Sequence, residues 1–149
     1  MICVSSLAGM LLRVPAVSAD ATSGDLENRA KGSVHFSPGK VGWIDSSVLA
    51  KMLEDRDRQN ISFYLVDLRL EADYQKGHIS GAVNIPSQKL RFVAEKIFGK
   101  TDPVVFYGYA RNSEDMNAVI RMMNKGYVRL SVLTGGIESW QGVLEPGAE

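Results

Sequence analysis

Six consecutive residues, Gly108-Tyr109-Ala110-Arg111-Asn112-Ser113, stand where this chain is expected to do chemistry. They follow a short apolar run, Val104-Val105-Phe106-Tyr107, and lead into Glu114-Asp115 and a helical pattern. Four apolar residues between turn signals suit a strand buried on both faces. Ser113 ahead of two acids suits a helix N-terminus, with Ser113 as the cap. A strand that ends in a tight loop on a helix N-terminus aims several backbone N–H groups at one point, and that point attracts anions. Tyr109 and Ser113 add hydroxyls. Arg111 adds a cation, directed either into the loop mouth or into solvent. Neither hydroxyl has a histidine near in sequence to serve as a base. The chemistry expected of the loop is weak binding of a sulfate-like ion, on the order of millimolar to high micromolar.

A second candidate pair is Asp67 and Arg69, just after the apolar run Phe63-Tyr64-Leu65-Val66. In open α/β sheets the ends of parallel strands form the edge where ligands bind. The pair is either a structural ion pair or part of that edge.

The elements that must position these residues repeat in one order. Trp43-Ile44 is a short extended piece, followed by a helix with Val48, Leu49, Met52 and Leu53 on one face. Glu71 to Tyr74 suits a helical turn, and Val83 to Pro86 a short strand closed by proline. Ser87 suits a cap for a helix whose stripe is Leu90, Val93, Ala94, Ile97 and Phe98. Met116, Val119, Ile120 and Met123 mark the inner face of the helix after the loop. A last strand is expected over 128–133, then a short helix with Ile137 and Trp140. Trp43 and Trp140 are expected to cover core edges. Strands alternating with helices predict a five-stranded parallel sheet with helices on both faces.

The globular domain is expected over 41–142, with a frayed tail over 143–149. Residues 20–40 read as a linker, rich in Ser, Gly, Ala and alternating charge. Residues 2–12 are apolar and small, and Ala16-Val17-Ser18-Ala19 resembles a cleavage site. Residues 1–19 thus suit an export signal, placing the protein in the periplasm or outside the cell, although no positive charge precedes Ile2. The alternative is an apolar tail on a cytoplasmic protein. The run is too short to span a membrane. Lys plus Arg equals Asp plus Glu at 17 each, which argues against a general nucleic-acid binder. The single cysteine, Cys3, excludes an intrachain disulfide and a cysteine-based metal site, and His35 and His78 do not form a metal-ligand pair. No cofactor or metal is expected.

Three phrases occur in order: Leu65-Val66-Asp67-Leu68-Arg69, Gly77-His78-Ile79-Ser80-Gly81-Ala82-Val83-Asn84-Ile85-Pro86, and Gly126-Tyr127 with Leu133-Thr134-Gly135-Gly136-Ile137-Glu138-Ser139-Trp140. Together they resemble the rhodanese (thiosulfate sulfurtransferase-like) domain over about residues 43–141. The resemblance implies the same five-stranded parallel fold. It also implies a cysteine at the head of the loop, which takes sulfur from a donor as a persulfide and passes it on. Loop N–H groups lower the pKa of such a thiol and hold its charge. The matching position here is Gly108, which cannot attack anything. By the same resemblance, Asp67 and Arg69 help shape the loop, and His78 is a scaffold residue bonded to nearby backbone. The expected function is a non-catalytic module that binds a protein partner or a small anion. The alternative is an enzyme without its own loop cysteine, either a sulfurtransferase whose partner supplies the thiol or a phosphate- or sulfate-ester hydrolase.

Overall fold

A computed structural model describes residues 39–59 and 61–147. The expected export signal, and all of the expected linker except Gly39 and Lys40, lie outside these residues. Five parallel strands form one sheet in the order β1 (Gly42–Ile44), β6 (Leu130–Leu133), β5 (Val104–Tyr107), β2 (Tyr64–Asp67), β4 (Val83–Asn84). β5 is central. Val105 aligns with Leu65 on one side and with Ser131 on the other. All four residues of β5 are buried, as a strand covered on both faces requires.

Period-2 alternation sends successive side chains to opposite faces. Val66, Val104, Phe106 and Leu130 pack with Leu90 and Ala94 of α3 (Ser87–Ile97) and with Ala118, Val119 and Met122 of α4 (Ser113–Asn124). Leu65, Val105, Tyr107 and Leu133 pack with Leu49, Met52 and Leu53 of α1 (Ser46–Asp57). Tyr74 of α2 (Glu71–Lys76) joins the second cluster, as do Ile137 and Trp140 around a 3-10 turn, Gly136–Ser139. Helices therefore cover both faces of the sheet.

Six local expectations are revised. Ile97 and Ile120, expected on the inner faces of their helices, are 41% and 37% exposed, at the border of the faces that Leu90 and Ala94, and Val119 and Met122, bury. Ser113 is the first residue of α4, and Asn112 is its cap, with Oδ1 accepting from the Glu114 N–H at 3.0 Å. Asn and Ser are equally good caps, and the extended backbone of Asn112 decides between them. Ser87 likewise opens α3 from inside, after Pro86. Leu144–Glu145, expected as tail, forms β7 and pairs antiparallel with β3 (His78–Ile79). Trp43 is 61% exposed on the edge strand, so it does not cover the core. Among the described residues no helix is long and apolar enough to cross a membrane.

Candidate functional site

All six loop residues, 108–113, line one cavity of about 210 Å³ at the C-terminal end of β5. Trp43, Gly135 and Gly136 close its other side. Gly136 has φ +61°, and a Cβ there would lie 2.5 Å from the Gly108 carbonyl oxygen and 2.7 Å from the Ala110 nitrogen. Only glycine permits both the left-handed backbone and this approach. The loop is held from that side by the Ile137 N–H, which donates to the Gly108 carbonyl at 2.8 Å. Arg111 takes φ +61° without being glycine, and its side chain is exposed.

One of the N–H groups expected to hold an external anion already meets a carboxylate of the same chain. Glu138 Oε2 accepts from the Ala110 N–H at 3.0 Å. Asp115, in the first turn of α4, is 7% exposed. The nearby Tyr109 N–H and Ser87 hydroxyl favour its charged form. Burial nevertheless pushes the Asp115 carboxyl above the ordinary carboxylate range, and the charges of Glu114 and Asp67 add to the shift. Its Oδ2 is buried with no hydrogen-bond partner. That oxygen overlaps the position of any Cβ built on Gly108, and its Cγ would lie 2.9 Å from it. Asp115 therefore fills the space that a side chain after β5 would need.

Asp67 and Arg69 do not line this cavity. Asp67 is wholly buried at the end of β2, and Arg69 is 7% exposed. Arg69 grips both carboxylate oxygens, with Nε 3.1 Å from Oδ1 and Nη2 2.6 Å from Oδ2. Nη2 also donates to the Gly77 carbonyl at 2.7 Å. The guanidinium lies 5.9 Å from the Tyr107 ring centre and 5.7 Å from that of Tyr109. The pair therefore supports the loop through Tyr109 and the end of β5. The Tyr107 hydroxyl accepts from the Ile79 N–H at 3.1 Å. Burial, then the charge of Asp67, drives its pKa far above the ordinary phenol range. Tyr109 reaches Asp73 outside, and its phenol is raised by the little burial it has and by that carboxylate. His78 Nδ1 meets the Tyr74 carbonyl at 3.1 Å, and its ring stacks on Tyr74 at 3.8 Å, a structural use.

Sequence reasoning missed Asp115 and Glu138 as parts of the site. An acid in the first turn of a helix reads as a dipole partner. The available signal was Gly108 itself, since a missing side chain after a fully buried strand leaves room that something must fill. Among the described residues no cluster of His, Cys, Asp or Glu is arranged to hold a metal ion.

Comparison with known proteins follows the same lines. The family model described as "Rhodanese-like domain" matches residues 45–142. A sulfurtransferase of Allochromatium vinosum is 31% identical over 101 residues, covering 67% of this chain and 88% of that protein. The Bacillus subtilis protein YqhL is 33% identical over 82 residues, 54% of this chain. The match spans 63% of YqhL, less than two thirds of its length. The crystal structure of Alr3790 from Anabaena superposes with a TM-score of 0.58 at 28% identity, covering 70% of this chain and 82% of that one. With 98 residues from Asp45 to Gly142 matched, in a five-stranded parallel sheet, this chain belongs to the rhodanese-like domain family.

Proposed function

We propose that this domain is a non-catalytic rhodanese-like module that binds a protein partner or a small anion, and that Asp115 occupies the place of the family's loop nucleophile. The observation that carries this reading is the overlap between the Asp115 carboxylate and any Cβ at Gly108. Sulfur transfer through a persulfide needs a thiolate at the focus of the loop N–H groups. The described residues contain no cysteine, and the Asp115 carboxylate takes the space of a Gly108 side chain. The sulfurtransferase relative supports the fold, and the loop departs from sulfur chemistry at Gly108, the residue matching the family's cysteine.

Residues 108–113 are proposed as a weak anion subsite, with Glu138 on the Ala110 N–H in the free protein. Export directed by residues 1–19 is also proposed, and the N-terminal mass of the protein from its host tests it.

The test of function is thiocyanate formation from thiosulfate and cyanide by the full chain and by its Cys3→Ser variant. No turnover above the uncatalysed rate is expected from either. Turnover that persists in Cys3→Ser overturns the proposal. Hydrolysis of phosphate or sulfate esters that falls on Arg111→Ala or Ser113→Ala would favour the enzyme reading instead.

A further inference from the structure

On the sheet face away from α1, a groove of about 420 Å³ runs between α3 and α4. It is larger than the loop cavity, at about 210 Å³. Its floor is apolar: Ala94, Ala118 and Met122 are buried beneath it. Phe92 stands on its rim, 62% exposed. An aromatic ring left in water on an ordered helix is a cost that burial against a partner removes.

The rim carries Arg91, Arg121 and Lys125, and no carboxylate lines the groove. Lys125 meets Glu95 at 3.3 Å, but Lys100 shares that same carboxylate at 3.9 Å. Arg91 and Arg121 form no ion pair among the described residues. Instead the Arg91 guanidinium lies 4.2 Å over the Phe92 ring. Arg121, in the last turn of α4, suits the helix dipole. Arg91 sits mid-helix in α3 and has no such reason.

Charge and shape together select an occupant. We propose that the groove docks an acidic amphipathic helix of a partner protein. The groove walls are helices of 11 and 12 residues. The lining takes up residues 87–94 of one and 118–125 of the other, which at 1.5 Å per residue is about 12 Å, room for roughly two turns of a third helix laid over them. Apolar side chains on one face of that helix would meet the floor and Phe92. Acids flanking that face would meet Arg91, Arg121 and Lys125, the complementarity that sets partner choice and association rate. Phe, Met and Arg are also the residue types enriched at interface centres. This proposal concerns a face separate from the 108–113 loop, so the thiocyanate result leaves it standing or falling on its own.

The test uses the full chain, 15N-labelled, and two fluorescein-labelled synthetic peptides. Both carry Leu at i, i+3, i+4 and i+7. One is flanked by Glu and Asp, the other by Lys. The acidic peptide is expected to bind, to shift amides within 87–94 and 118–125, and to weaken as salt is raised. Arg91→Glu with Arg121→Glu is expected to weaken it by about tenfold or more and to admit the Lys peptide, since each change places like charges together. Both side chains are exposed, and circular dichroism of the variant checks that the fold is kept. Equal affinity for the two peptides, binding of neither, shifts confined to 108–113, or an unchanged affinity in the double variant each overturns the proposal.

Discussion

The carboxylate of Asp115 lies in the space that a side chain on Gly108 would enter. The two positions are therefore one packing unit, although six residues separate them. Gly108→Ala must displace a buried group, which costs about 1–3 kcal/mol in a packed site. In an Asp115→Ala background the same change finds open space and costs much less. A double-mutant cycle by urea unfolding is expected to give a coupling of roughly 1 kcal/mol or more. Additive losses would contradict the shared space.

The same carboxyl makes stability depend on pH. Burial holds Asp115 above the ordinary carboxylate range in the folded state, so folding takes up a proton between the unfolded and folded values. As pH rises through that window, Asp115 becomes a charge that the native state holds less well than the unfolded chain. Asp115→Asn is therefore expected to raise Tm at neutral pH, with a gain that fades as pH falls to the ordinary carboxylate range and below. Thermal scans of both proteins across pH 3–8, at roughly equal ionic strength, measure this difference. A gain that grows toward low pH would contradict it.

Arg69→Ala removes a fork that holds Asp67 from both oxygens and also meets the Gly77 carbonyl. It leaves a fully buried carboxylate without its cation. A loss of about 3–5 kcal/mol in unfolding free energy is expected. Arg69→Lys keeps the charge but not the two-point geometry and should recover only part of it.

Tyr107→Phe removes the hydroxyl that accepts from the Ile79 N–H across 28 residues of chain. The ring still fills its place, so the cost is the unpaired donor alone, about 1–3 kcal/mol. Equilibrium unfolding gives the total, and hydrogen exchange at Ile79 should show lost protection.

Glu138→Ala frees the Ala110 N–H. Sulfate should then raise Tm more in the variant than in the wild type, by linkage of binding to folding. An equal rise in both would place any sulfate elsewhere on the surface.

Much of this fold is legible in the sequence because its signals are local. Val104–Tyr107 is a strand with the bounds its composition suggests. The Leu90-Ala94 stripe faces the core as its spacing requires, and so does Val119, while Met122 rather than Ile120 completes the buried face of α4. What escaped depends on distant partners. Leu144–Glu145 becomes a strand only because His78–Ile79 offers an edge, and two residues carry no period. Trp43 is apolar yet exposed, since an edge strand has a face that nothing covers. The six loop residues line one cavity, while the acids beside them come from α4 and from the 3-10 turn. Whether an acid faces solvent or a neighbouring backbone is decided by tertiary packing.

The hold of Glu138 on the Ala110 N–H has a consequence for any soluble anion. A group fixed by the fold behaves as a ligand at high effective concentration, on the order of millimolar or above even for flexibly tethered groups. It is never diluted and never depleted. A free ion offering the same hydrogen bond must displace this tethered rival, which weakens any binding of sulfate or phosphate at the loop. A ligand succeeds there only by bringing contacts that Glu138 does not make.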